Sequence, residues 1–151
     1  MLYPPKSMLT PYRVAGITLF CDQLTKFLAL RFLKPAASFP IFQNVFHLSF
    51  VENNGIAFGL FQGHPQVLTV VITASILCLL VCARFFSNQP QSHRLAYGFI
   101  LGGSVGNWID RIRFGHVIDF LDFRIWPVFN IADSFITIGV ILFLWFALRG
   151  R

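Results

Sequence analysis

Two aspartates, Asp119 and Asp133, stand in the stretch HVIDFLDFRIWPVFNIADSF, with a third, Asp122, between them. The chain has only six acidic side chains, so three within this short apolar stretch ask for a chemical reason. Two carboxylates held close together cannot readily both ionise: one keeps a proton while the other acts as a base. That division of labour is what attack of water on an amide requires. Asp119 falls just beyond one apolar segment and Asp133 near the start of the next. A connection that leaves one helix and re-enters as another can bring them together. A simpler role is open to Asp133, because an acid near a helix N-terminus complements the dipole. A solvated cap, however, would more naturally sit before the apolar run than inside it. Asp122 reads as the ion-pair partner of nearby Arg124.

Other polar residues interrupt the apolar segments. Asp22 and Lys26 in DQLTK are four apart, so they share a helix face with the acid first, the favourable order. Such a pair either ties its helix to a neighbour or marks a functional site. In NWIDR, Asn107 and Arg111 are four apart and point the same way on a helix, with Arg111 able to aim its planar fork at a carbonyl or carboxylate. Asp110 reads as one half of a surface salt bridge with Arg111 at the helix end. Gly98, Gly102 and Gly106, with Gly103 beside them, form a small-residue ridge suited to close helix packing.

Competing chemistries lack their residues. His47, His64, His93 and His116 show no metal-binding spacing, and no glycine-rich phosphate loop precedes a helix. A Ser–Lys mechanism would need Lys26 to meet Ser104 or Ser134. Cys21, Cys78 and Cys82 all fall in apolar segments and read as small buried hydrophobes, with no metal site or disulfide framework.

The elements that must position these side chains are set by lipid. Hydrophobic residues make up 56% of the 151 and charged residues 12%, about half of what a soluble domain carries. A helix crosses the hydrocarbon with roughly twenty apolar residues, and segments at about 11–32, 65–86, 95–112 and 130–148 qualify. The first is expected to be a retained helix and not a cleaved signal peptide, because Asp22 and Lys26 interrupt it and no small-residue cleavage site follows. The net charge of +6 is dispersed, without a basic stripe, which argues for membrane anchoring and against nucleic acid. Within the long first connection, about 33–64, VFHLSFV alternates as a half-buried strand does, and NNG supplies a turn.

Four spans place both termini on one side. Lys6, Arg13, Arg84, Arg94, Arg149 and Arg151 fall on that side, and Lys26, Arg31, Lys34, Arg111, Arg113 and Arg124 on the other, so the positive-inside rule is nearly tied. All the acids lie on the second side, and carboxylate chemistry belongs there.

DQLTK, VENNGIAFG, GGSVGNWIDR, GHVIDF and FNIADS, in this order over nearly the whole chain, resemble the lipoprotein signal peptidase (signal peptidase II) family. The resemblance implies an all-α polytopic membrane protein: four transmembrane helices with a small periplasmic β-cradle and a short periplasmic helical segment, in one domain over 1–151. It implies an aspartic endopeptidase of the bacterial inner membrane, both termini cytoplasmic and the site near the periplasmic face. Its substrates would be diacylglyceryl-modified prolipoproteins, cut N-terminal to the lipidated Cys. The catalytic pair maps onto Asp119 and Asp133, and supporting residues onto Asp22, Lys26, Asn53, Gly55, Asn107, Arg111 and Asn130. No cofactor or metal is implied; membrane lipids and globomycin-type peptide inhibitors are, and a monomer is expected. The rival from another class is a small proton-coupled transporter or channel using the same carboxylates as a relay. Four spans without recognisable inverted repeats speak against it.

Overall fold

The computed structural model describes residues 9–55 and 65–149. Four helices dominate: α1 (Leu9–Leu28), α2 (Pro65–Ser87), α3 (Gln91–Phe114) and α4 (Ile131–Leu148). Between them lie three short strands, β1 (Ser38–Phe42), β2 (Phe46–Asn53) and β3 (Val117–Asp122). The helical segment expected beside the sheet, and the VENNGIAFG block beyond Gly55, lie outside the described residues. α3 begins four residues before and ends two residues after its expected bounds, because Gln91–Arg94 are polar or charged and Arg113 breaks the apolar run ahead of Phe114. It stops where Gly115 adopts φ 79°, a left-handed conformation that glycine takes without strain.

α3 is the axis of the molecule, with α1 and α4 packed along it and α2 less extensively. The glycine ridge does what its spacing implies. A Cβ on Gly98 would meet Pro11 O at 2.8 Å, one on Gly102 would strike the backbone of α1 at Ala15, and one on Gly103 would lie 2.6 Å from Ala132 O of α4. At Gly106 the added carbon would collide with the Asp22 carboxylate. The bare ridge therefore lets α1 and α4 come close enough to α3 for short polar side chains to bond between helices.

Residues 66–83 in α2 and 131–148 in α4 are long and apolar enough to cross a membrane, and only 17% and 11% of those windows are buried. Such faces, with Val70, Val81 and Leu148 pointing outward, suit lipid and not water. α1 and α3 do not meet the same standard. Each spends part of its length on charged side chains, Asp22 and Lys26 in one, Arg94, Asp110, Arg111 and Arg113 in the other.

The sheet has the order β1-β2-β3 and is antiparallel throughout. β2 contains the strand expected from VFHLSFV. β1 and β3 were not foreseen, since SFPIF and VIDFLD lack clean alternation. A register shift between Leu48 and Val51 sets Val51 opposite Asp119 and Asn53 opposite Val117. After β3 the chain doubles back, with Phe120 and Leu121 N–H both donating to Phe129 O at 3.0 and 2.8 Å. That return delivers Asn130 and α4 beside the strand that carries Asp119.

Candidate active site

The turn that returns the chain is built by Asp122. Its carboxylate accepts Arg124 N–H at 2.8 Å, Arg124 Nη1 at 3.0 Å and Ser49 Oγ at 2.9 Å, while Arg124 takes φ 66°. Burial alone would push the Asp122 carboxyl up, but these donors outweigh it and hold it below the usual carboxylate range. The expected pairing with Arg124 is present, and it serves the turn.

α4 begins at Asn130 with a reciprocal cap. Asn130 Oδ1 accepts Asp133 N–H at 2.9 Å, and Asp133 Oδ2 accepts Asn130 N–H at 3.3 Å. Asp133 thus has its helix-capping role, yet its Oδ1 faces the interior and accepts Asn107 Nδ2 at 2.7 Å. Asp119, 1% exposed, is held from two sides: Asn53 Nδ2 donates to Oδ2 and Asn130 Nδ2 to Oδ1, both at 2.7 Å.

Each of these asparagines is oriented by what its oxygen accepts. Asn53 Oδ1 takes Gly55 N–H at 2.9 Å, and Asn130 Oδ1 takes Asp133 N–H. Asn107 Oδ1 takes Lys26 Nζ at 2.8 Å and Asn130 Nδ2 at 3.0 Å. With the oxygens committed to donors, the amide NH₂ groups must face the carboxylates. Burial, and then the Asp133 charge, raise the Asp119 pKa to about 7 despite these amide donors.

Beneath the amides lies a second carboxylate pair. Lys26 Nζ sits 2.9 Å from Asp22 Oδ2 and 2.9 Å from Asp110 Oδ2, and all three side chains are almost fully buried. The expected Asp22–Lys26 pair is present, but the surface pairing expected for Asp110 with Arg111 is not. Asp110 points inward because the helix turns its side chain toward α1, where Lys26 and Gln23 supply donors; Gln23 Nε2 lies 3.1 Å from its Oδ1. The two carboxylates also reach the main chain: Asp22 Oδ1 accepts Ala132 N–H at 3.0 Å and Asp110 Oδ2 accepts Ile118 N–H at 3.2 Å. Each therefore grips the residue immediately before one of the upper aspartates. Asp110 and Gln23 were missed as site residues. Both share the inward face with Asp22 and Lys26, but a lone acid beside an arginine reads as a surface pair.

Arg111 aims at carbonyls: Nη2 donates to Gly55 O at 2.9 Å and Nη1 to Asn107 O at 3.4 Å. It ties the Asn53–Gly55 turn to α3. A Ser–Lys pair does not form, since Lys26 is committed to Asp22, Asp110 and Asn107, and Ser134 Oγ donates to Asn130 O at 3.0 Å.

Asp119 and Asp133 both line a cavity of about 760 Å³, with Asn53, Asn107 and Arg111. It extends down between α2, α3 and α4 past Ile72, Ser104 and Ile138, toward the apolar part of the molecule. Two carboxylates at the polar end of an apolar cavity can activate water against a peptide bond held by a lipid-embedded substrate.

The sequence model of the family described as Signal peptidase (SPase) II matches residues 14–149. The lipoprotein signal peptidase of Halothermothrix orenii is 45% identical over 137 residues, covering 89% of this chain and 94% of its own. That of Microcystis aeruginosa is 46% identical over 134 residues, with 87% and 86% covered. A solved bacterial membrane enzyme, determined by the in meso method at 2.3 Å, matches with a TM-score of 0.87 and 28% identity over 99% of this chain and 93% of that one. Since the family match runs from the first turns of α1 to Arg149, the chain belongs to the signal peptidase II family.

Proposed function

We propose that Asp119 and Asp133 are the catalytic pair with which this signal peptidase hydrolyses the peptide bond preceding a diacylglyceryl-modified Cys. Removal of signal peptides from prolipoproteins is the activity its family and relatives carry. The observation that carries the aspartic mechanism is the meeting of these two carboxylates in one cavity, each held by asparagine amides. The pair shares one proton. Its ionised member takes a proton from water as the water oxygen attacks the scissile carbonyl carbon, while its protonated member hydrogen-bonds the carbonyl oxygen. Collapse of the tetrahedral adduct breaks the C–N bond, and a proton passes from the pair to the departing amine. The products are a signal peptide with a new carboxylate and a lipoprotein with a free amino group on its lipidated Cys.

In this reading all four helices span the bilayer as one domain, both termini cytoplasmic, with the sheet and the pair near the periplasmic face of the inner membrane. The glycine ridge supports this. It lets α1 and α3 bury their charged residues against each other and still present lipid with Phe20, Phe27 and Ile112. From the described part of the insertion, Asn53 and Gly55 line the cavity, and globomycin-type cyclic peptides would compete for it. The glycine contacts are all within the chain, which suits a monomer. The transporter reading is not favoured by the family match.

Purified protein in detergent, given a lipidated precursor and no ion gradient, is expected to release the signal peptide. Asp119→Asn and Asp133→Asn should each cut the rate by at least about 10³-fold while the protein still folds. Normal processing by either variant would sink the assignment of the pair.

A further inference from the structure

The cavity continues below the carboxylates, and its lower walls are not purely apolar. Ser104 lies one helical turn below Asn107 on α3, and Thr137 one turn below Asp133 on α4; both line the cavity. Their surroundings there are aliphatic: Ile72 from α2, and Ile136 and Ile138 from α4. Neighbouring hydroxyls in the helices are committed within the protein. Thr25 donates to Cys21 O at 2.9 Å, Thr73 to Thr69 O at 2.7 Å, Ser75 to Val71 O at 2.9 Å and Ser134 to Asn130 O at 3.0 Å. Among the described residues, Ser104 and Thr137 make no such bond, and they face each other's cavity from two different helices. Ser104 is half-buried and Thr137 exposed, so both hydroxyls are open to a molecule lying in the cavity they line, where valine would keep the shape of Thr137 without its donor. Their position leaves them able to donate when such a molecule brings an acceptor.

We infer that Ser104 and Thr137 form a carbonyl-binding subsite beneath the catalytic pair, donating hydrogen bonds to acceptor oxygens of the lipidated substrate. The inference rests on the proposed function and deepens it. A carbonyl acceptor at this depth has two sources: the ester groups of the diacylglyceryl unit, or main-chain carbonyls of the signal peptide just before the cleaved bond. Both are uncharged acceptors flanked by aliphatic chain, which is what a pair of hydroxyls between isoleucines accommodates. Neither hydroxyl touches the reacting atoms in this arrangement. Their contribution belongs to binding and therefore to KM.

The test uses the purified full chain and two synthetic lipobox peptides, one carrying ester-linked chains on Cys and one carrying ether-linked chains of equal length. Thr137→Val and Ser104→Ala are expected to raise KM for the diester about two- to tenfold with kcat little changed, and Thr137→Ser to restore the wild-type KM. If the increase vanishes with the diether, the ester carbonyls are the acceptors. If it persists equally with both peptides, the main-chain carbonyls are, and the subsite stands in either case. KM unmoved in both variants with both peptides overturns the inference, as does Thr137→Ser behaving like Thr137→Val, which would assign the effect to packing. Failure of the wild-type protein to cleave either peptide would instead remove the proposed function itself.

Discussion

Two pairs of aspartates, Asp22 with Asp110 and Asp119 with Asp133, are linked through Asn107 and differ in the partners that hold them. Asp22 and Asp110 share the Lys26 ammonium, each oxygen also meeting a side-chain or main-chain N–H. Among the described residues, Asp119 and Asp133 accept hydrogen bonds only from neutral donors: asparagine amides and one main-chain N–H. Lys26 Nζ, 2.9 Å from an oxygen of each, ties the lower pair together across α1 and α3 as a fixed scaffold. Neutral amides orient a carboxylate without neutralising it, and at Asp119 burial then makes protonation favourable. The same side chain is thus set against a cation in one pair and against neutral amides in the other.

The contrast can be broken at its root. Lys26→Met leaves Asp22 and Asp110 buried without a cation, which is expected to cost about 3–5 kcal/mol of stability. It also loosens the carboxylates that hold Ala132 and Ile118, the residues before Asp133 and Asp119. Thermal unfolding of the purified variant checks this, and an unchanged midpoint would mean that the lower pair is not a clamp. A double substitution removing charge from both acids, Asp22→Asn with Asp110→Asn, would separate the loss of charge balance from the loss of shape.

The upper pair is sharpened by pH. The Asp119 carboxyl has a folded-state pKa of about 7, well above its ordinary 3.8, so native protein binds this proton more tightly than unfolded chain does. Its ionisation costs stability progressively as pH rises from about 4 through 7. Asp119→Asn abolishes that slope. Its stability relative to wild type should therefore increase between pH 4 and pH 8, as followed by denaturation at several pH values.

The third consequence concerns rate. The proposed mechanism uses one proton shared by the pair, so it predicts that activity falls on the alkaline side near pH 7, as an apparent value belonging to the coupled pair. Asn53→Ala removes a donor that favours the Asp119 carboxylate, and the alkaline limb of kcat/KM should move to higher pH. A limb that stays in place would show that Asn53 serves only to hold the turn at Gly55.

The smallest effect belongs to an ion pair outside both networks. Lys34 lies 3.0 Å from Glu52 at the surface, and this lysine chiefly holds the Glu52 carboxyl below its ordinary range. Exposed pairs of this kind are screened by water and salt. Lys34→Ala should leave the unfolding midpoint and kcat where they are, which makes it the control for Lys26→Met.

Much of this was legible in the chain. Long apolar runs announce α2 and α4, because lipid demands a continuous apolar face. The spacing of Gly98, Gly102 and Gly106 announces close helix approach, because helical periodicity puts them on one ridge. Asp22 and Lys26 declare each other by their four-residue interval. β1 and β3 were not legible. β3 gains its stability from β2, a partner remote in sequence, and VIDFLD is buried too fully to alternate, while β1 pairs with the adjacent β2 but is exposed at every residue and so shows no alternation either. Asp110 was misjudged for a related reason. Its neighbour in sequence, Arg111, suggested a pair, whereas its partner in space, Lys26, lies on another helix.

What the sequence determined by itself is the inventory: which residues prefer lipid, where helices start and stop, and which carboxylates are too costly to be idle. The family-wide motifs added the expectation that Asp119 and Asp133 act together. Only the tertiary structure decided which donors each carboxylate meets. That assignment depends on α1 and α4 closing onto the glycine face of α3, and on the β3 return that sets Asn130 between Asp119 and Asp133. Hydrogen bonds and ion pairs act over about 3 Å, and no periodicity along the chain encodes such a distance between residues more than a hundred positions apart.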